Sequence, residues 1–485
     1  MDVQINMKIV FLINSAHFLS EFFGKLSDEA IKRQDECIVV FSSKIAEYEK
    51  RKFFPEGVRF ISAIDWCVEN YQEDKKEFFG LSWKFFFPFF DRSGFLGLTH
   101  DRSLKITQQA IQFFEFIFEK EKPAIIISEP PSGMFHQVAH HFCKKNNASY
   151  IGLGASRFAG RIDVFNGDQS FLRFKKTFEE IGEHSITFKE KEFAKNFIRD
   201  FISHKAMPSY MASAKVYFSR MGLVWHFSRR VKEVWAPFLR YMASRQQYKP
   251  FDYESEIARK RYGRALFVAE RKKIRTFFQK KFFGNYGGGR EYFLYPLHYQ
   301  PEASTSVYAT YYCDQINTIK NIAFALPFPY RLYVKEHPVA VGTRQSGFYK
   351  KLAEIPNVVL ISASENTQEL IENSSGVITL TSTVGMEAVL AGKPAYILGN
   401  VFYAYHPLCR QVSGFDDLKE RIGNDMINVP KLDNLEDNNI RFVISYLKNT
   451  IFGNLLFAGK GKDTNDYRLI YEELLTLLGR SHETK

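Results

Sequence analysis

The stretch from Arg331 to Gly399 constrains the fold of this chain most. It reads RLYVKEHP, then NVVLIS, then GVITLTSTVGMEAVLAGKPAYILG. Short runs of Val, Ile and Leu alternating with helix-length segments predict buried parallel strands joined by helices. Polar residues break in at two strand ends, Lys335-Glu336-His337-Pro338 and Thr381-Ser382-Thr383-Val384-Gly385. Ligands of open parallel sheets bind at the carboxyl ends of the strands. A Ser-Thr pair opening a helix there offers hydroxyls, N–H groups and the positive end of the helix dipole to a phosphate.

The same rhythm runs from Met7 to about Leu153. Lys8–Ile13, Glu36–Phe41, Val58–Ile61, Ala124–Ser128 and Tyr150–Leu153 read as strands, with Ile106–Glu119 and Met134–Lys145 as helices between them. Tyr71–Thr99, with KFFFPFF and Pro88, breaks the rhythm and reads as an irregular insertion. A chain of 485 residues exceeds one ordinary core. The reading is therefore α/β with two doubly wound halves: an N-terminal Rossmann-like acceptor domain over 1–204, a basic helical linker over 205–290, a nucleotide domain over 291–438 and C-terminal helices over 439–485. Two such halves in tandem describe the GT-B arrangement of glycosyltransferases, whose active site lies in the interdomain cleft. Fold alone does not establish function.

Composition narrows the partners. Five Cys without CxxC spacing predict neither a disulfide framework nor a structural zinc site, and a reducing cytoplasm follows. The opening MDVQINMKIVFLIN has a short apolar run and no basic n-region, so it reads as a strand and not a leader. No stretch approaches the ~20 apolar residues of a spanning helix. The net charge is +12, yet Lys205–Lys281 alone holds nineteen Lys and Arg against five acids, which leaves the remainder near −2. Tyr217, Met221, Val224, Val231, Trp235, Phe238 and Met242 recur there at helical spacing. The segment fits an anionic membrane surface or a core helix with a solvated basic face. It carries no nucleic-acid-binding motif, so no nucleic-acid partner is expected. Phe, at 49 residues, is abundant enough for either large aromatic cores or an interfacial surface.

Four clusters can carry chemistry. Lys335 and His337, two apart at a strand end, suit a phosphate leaving group. In Thr379–Pro394, Ser382 or Thr383 caps a helix, Gly385 permits close backbone approach, and Glu387 in the first turn could hold a ribose. In YPLHYQPEAS, His298, Gln300 and Glu302 lie close together; Gln300 and Glu302 either contact donor or acceptor, or satisfy a stiff turn. Glu129, in Ile127-Ser-Glu-Pro-Pro-Ser-Gly133, is either a general base for an acceptor hydroxyl or a helix N-terminal carboxylate. Glu302 is the second choice as base. Arg157 and Arg161 could hold an anionic acceptor or donor. His136 and His140 stand four apart without HExxH, and DxD is absent, so no metal or other cofactor is expected.

Taken together, YPLHYQPEAST, LYVKEHP, NVVLI and TLTSTVGMEAVLAGKPAYILG resemble the capsule polysaccharide biosynthesis family over about Tyr292–Tyr403. That resemblance implies a GT-B glycosyltransferase of bacterial capsule or lipopolysaccharide assembly, similar to bacterial Kdo- and sialyltransferases that use CMP-activated sugars. It implies that His337 with Pro338, and Ser382 with Thr383, contact the nucleotide phosphate. The family's acidic motif finds only Ser128–Gly133 here, without its adjacent acid pair. The implied partners are a nucleotide sugar, a saccharide or lipid-linked acceptor, an anionic inner-membrane surface approached from the cytoplasm, and other polysaccharide-assembly proteins. A polyol-phosphate transferase of teichoic-acid type and a non-catalytic assembly scaffold remain as alternatives.

Overall fold

The computed structural model describes residues 7–14, 19–75, 77–94, 97–165, 170–182, 185–203, 248, 250–257, 275–276, 278–284, 291–428, 434–455 and 463–482. The chain divides into two compact units, the first drawn from Met1–Ser170, Pro208–Leu266 and Asn449–Lys485, the second from Phe171–Met207 and Phe267–Lys448. Most of the basic segment Lys205–Lys281, with its whole aromatic stripe, lies outside the described residues.

Among the described residues the first unit holds a seven-stranded sheet. Its strands are β1 (Lys8–Ile13), β2 (Glu36–Phe41), β3 (Arg59–Ser62), β4 (Ile125–Ser128), β5 (Ser149–Ala155) and β6 (Arg161–Phe165), joined by Thr450–Phe452 far along the chain. Strands β3-β2-β1-β4-β5 run parallel in that order, and β6 turns back antiparallel on β5. Both faces are covered, which is why these strands read as unbroken apolar runs. Phe11, Phe22, Phe23 and Phe41 fill one face together with Tyr471 and Leu474 of the helix Tyr467–His482. Phe86, Phe89, Phe113, Phe114, Phe135 and Phe142 fill the other. Much of the Phe excess is therefore core.

Tyr71–Thr99 is not the irregular insertion its composition suggests. Trp83–Ser93 forms a helix straight through Pro88, with Phe86 and Phe89 inward and Trp83 and Phe90 exposed. The first unit does not run unbroken to residue 204, where the sequence reading ended the first domain. After β6, the helices Ser170–Glu180 and Phe188–Ile202 fall largely in the second unit, where Arg441 donates to the carbonyls of Phe178 and Ile181. The residues after 438 are not all helical either: Thr450–Phe452 covers the open edge of β6.

The second unit's sheet, again among the described residues, has six strands, all parallel: β7 (Tyr292–Pro296), β8 (Arg331–Lys335), β9 (Val358–Ile361), β10 (Gly376–Thr379), β11 (Ala395–Ile397) and β12 (Cys409–Gln411). In sheet order they stand β9-β8-β7-β10-β11-β12. That is the doubly wound 3-2-1-4-5-6 order, and its direction reverses between β7 and β10. The first sheet reverses in the same way between β1 and β4.

Candidate functional site

Three polar loops leave the carboxyl ends of β7, β8 and β10, on either side of that reversal, and a single hydrogen-bonded network holds them. Its centre is Glu336, which is 1% exposed. The Arg344 guanidinium meets it with Nε at 3.1 Å and Nη2 at 2.8 Å, Tyr349 donates its hydroxyl to the same carboxylate, and the His337 N–H donates at 2.6 Å. Removing one partner of such a buried pair costs about 3–5 kcal/mol, because the other charge stays buried. Arg344 Nη2 also donates to the His298 carbonyl at 2.8 Å, which ties the β8 loop to the β7 loop.

From β7 the network reaches β10. Gln315 accepts the His298 N–H at 2.8 Å and donates to the His298 carbonyl and to Gln300 Oε1. The His298 ring, 5% exposed, accepts the Thr381 N–H at Nε2 over 3.1 Å and lies 3.3 Å from Thr379 Oγ1. Burial, with His337 and Arg344 nearby, pushes its pKa down to about 3, so the ring is neutral. Thr379 Oγ1 accepts the Ser382 N–H, and Ser382 Oγ accepts the Val384 N–H, capping the helix Thr383–Leu390. The N–H and hydroxyl of Thr383 take no partner among the described residues. Ser382 keeps its hydroxyl hydrogen to donate.

His337 is half-buried. Its Nδ1 accepts the Val339 N–H at 3.3 Å, which assigns the ring proton to Nε2. Nε2 takes no partner among the described residues, so it offers a donor. Burial lowers the pKa of His337 against the pull of Glu336. Lys335 Nζ donates to the Ala363 carbonyl at 3.2 Å, and burial lowers its pKa while Glu387 opposes that. Burial pushes the Glu387 carboxyl up to about 7, with Lys335 pulling it back. Lys335, His337, Ser382, Thr383 and Glu387 thus gather at one edge of one sheet.

Several expected roles change. Gln300 braces its own loop, donating to the Cys313 carbonyl at 2.8 Å. Glu302 is exposed, and its carboxylate accepts the Ser304 hydroxyl. Gly385 makes room for Tyr403: a Cβ there would stand 2.4 Å from the Tyr403 hydroxyl, so the close approach is by a side chain of the fold. Glu387 is the fifth residue of its helix, past the first turn, and is 9% exposed. Sequence reasoning left Glu336, Arg344, Gln315 and Tyr349 unassigned. The usable signal was an acid between Lys335 and His337 in an otherwise apolar strand end, which requires a buried cation.

In the first unit, Glu129 follows β4 and Asn14 follows β1, so they face each other at that sheet's reversal. Glu129 Oε1 accepts from Asn14 Nδ2 at 2.8 Å and from Ser132 Oγ at 2.5 Å, and Oε2 takes no hydrogen bond among the described residues. Behind them stands buried His136, its Nε2 3.5 Å from Asn14 Nδ2, with its pKa lowered by burial. Buried Lys50 donates to the Asn14 carbonyl at 2.6 Å, and burial brings its pKa down to about 8. A shallow recess opens beside Asn14, Leu19, Phe23 and Glu129. Arg157 and Arg161 lie toward the antiparallel end of the sheet, where Arg157 pairs with Asp163 at 3.0 Å and the Arg161 guanidinium lies 3.4 Å from the Phe452 ring centroid. Among the described residues no group of three or more His, Cys, Asp or Glu is placed to hold a metal, and no helix is long and apolar enough to cross a membrane.

The second unit is thus of the doubly wound, Rossmann-like class, with a braced polar site at its topological switch point. Residues 239–426 of the chain match the family described as capsule polysaccharide biosynthesis protein. A segment of 73 residues is 34% identical to the capsule polysaccharide modification protein LipA of Neisseria meningitidis serogroup B, covering 15% of this chain and 10% of that protein. The chain thus matches about a tenth of the length of that curated relative. Among solved structures, the beta Kdo 2,4 transferase of Thermosulfurimonas dismutans KpsC aligns over 73% of this chain and 88% of its own, at 14% identity and a TM-score of 0.39. The beta Kdo 2,7 transferase of the same protein aligns over 76% and 90%, at 11% identity and a TM-score of 0.37.

Proposed function

We propose that this chain is a glycosyltransferase of bacterial surface polysaccharide assembly, moving a sugar from a nucleotide-activated donor to a saccharide or lipid-linked acceptor. The observation that carries this reading is the set of open donors at the second sheet's switch point. His337 Nε2–H, the Ser382 hydroxyl, and the N–H and hydroxyl of Thr383 are held in place by a buried network and have no acceptors among the described residues. Donors fixed before the ligand arrives stabilise charge on a departing phosphate without reorganising. Lys335 adds positive charge beside them, and the chain lacks the DxD triplet that would hold a metal against the phosphates. The match to the capsule polysaccharide family supports the pathway.

In this mechanism the donor's phosphates bind at Ser382, Thr383 and His337. Glu129 is the general base. One of its oxygens is saturated by Asn14 and Ser132, which fixes the carboxylate and leaves the other free to take the acceptor's proton. The acceptor oxygen attacks the anomeric carbon, the bond from that carbon to the phosphate breaks, and the nucleotide leaves with the bonding pair. CMP-Kdo is the donor class that the sequence resemblance favours. Work at the inner face of a membrane, from the cytoplasm, follows from a lipid-linked acceptor and the basic segment.

A panel of nucleotide sugars with mass detection of products tests the reading. Transfer by wild type, and its loss in His337→Ala with an unchanged melting curve, is the expected result. Transfer from CDP-glycerol instead would make the chain a polyol-phosphate transferase. Normal turnover in His337→Ala would remove His337 from the mechanism.

A further inference from the structure

We infer that His298 is a positioning residue for the phosphate-binding strand end, a role that rests on the nucleotide-binding reading of that site. Its imidazole spans the switch point from β7 to β10. By accepting the Thr381 N–H it withdraws that donor from the ligand and fixes the peptide that leads into Ser382 and Thr383. The Thr381 hydroxyl is drawn away as well, donating to the Ser304 carbonyl at 2.9 Å. What remains open at this strand end is the Ser382 hydroxyl and the N–H and hydroxyl of Thr383, two residues on from Thr381.

The ring can do this only while neutral, since a protonated imidazole would turn a second N–H toward the Thr381 N–H. Burial of the ring enforces neutrality, and the neighbouring His337 and the Arg344 guanidinium, which holds the His298 carbonyl, add to it. Nδ1, which then carries the proton, is buried and has no hydrogen-bond partner among the described residues. An orphaned buried donor is uncommon and calls for a reason. A residue kept only for packing would not need it, whereas one kept for an acceptor at this reach from β7 does. Both backbone groups of His298 are clamped by Gln315, so the ring's position is set from behind.

The test is calorimetry of the full chain with CMP, UDP and GDP, beside circular dichroism and thermal melting. His298→Gln keeps an acceptor at the reach of Nε2, whereas His298→Leu and His298→Asn do not. For the nucleotide that wild type binds, the Leu and Asn variants should lose affinity by roughly tenfold, the scale of one hydrogen bond, while Gln stays near wild type. If the Leu variant does not fold, the polar pair Asn and Gln gives the same comparison. Equal affinities in wild type and the Asn variant would overturn the role of His298 and leave the site assignment standing. No binding of any nucleotide by wild type would overturn the site assignment and this role together.

Discussion

Glu387 and His298 sit at one sheet edge, yet burial gives them opposite dependence on pH. The Glu387 carboxyl, held at about 7, favours the folded state when protonated. Its contribution is complete below the ordinary carboxylate range and is lost as pH rises through about 7. The His298 ring at about 3 and the buried His406 ring at about 4 favour the folded state when neutral. Their contribution is complete above about 6.5 and is lost as pH falls through those values. We therefore expect Glu387→Gln to melt above wild type at pH 8 and close to it at pH 5. Melting curves at the two pH values check this, and a lower melting temperature at pH 8 would mean that Lys335 needs the charge. At this scale the sequence disclosed the polar strand-end residues better than the groups that brace them. Lys335, His337 and Ser382 stand in strand-end positions where polarity is conspicuous. Gln300 looks equally polar, but only its distance to the Cys313 carbonyl shows that it braces a loop.

Among the elements, the buried parallel strands were the most legible. Lys8–Ile13 and Glu36–Phe41 can be bounded from sequence because burial on both faces leaves no polar residue inside them. The helix Trp83–Ser93 was hidden by its proline and its aromatic density, although Phe86 and Phe89 recur at helical spacing. Thr450–Phe452 is too short to leave a pattern, and its partner β6 lies nearly three hundred residues earlier in the sequence. The helix Tyr467–His482 docks on the first sheet through Tyr471, whose hydroxyl donates to Asp35 Oδ2 at 2.6 Å, while Asp35 Oδ1 accepts the Met7 N–H at 2.8 Å. Tyr471→Phe leaves that carboxylate short of a donor inside the core. It should lower stability by about 1.5–3 kcal/mol, the range for hydrogen bonds to charged groups. Urea unfolding should show a lower midpoint at unchanged slope; an unshifted midpoint would mean that water replaces the hydroxyl.

For the whole molecule, two sheets with the same reversal place Asn14 and Glu129 at one switch point and His298 and Thr381 at the other. The alternation of short apolar runs with helices made both sheets legible, and the polar breaks pointed to the second candidate site. The first site was harder, because Asn14 and Glu129 are 115 residues apart and nothing local joins them. The charge is distributed unevenly: Lys205–Lys281 carries a net +14 and the remainder about −2, which gives +12 for the chain. Attraction of that segment to an anionic bilayer should appear as flotation with phosphatidylglycerol vesicles at low salt, fading as salt screens the charge. Failure to float at low salt would assign the segment to another role.

The first unit is assembled from distant parts of the chain, and this bears on how the protein is made. Strands β7 to β12 lie in one stretch, Tyr292–Gln411, so the second sheet has all its strands once that stretch leaves the ribosome. The first sheet, although synthesised earlier, keeps β6 as an open edge and lacks the cover of Tyr471 and Leu474 until Thr450–His482 emerges. An open strand edge invites pairing with other chains. The unit begun first is therefore finished last, and a nascent chain paused near residue 448 carries the open β6 edge when every strand of its second sheet has been made.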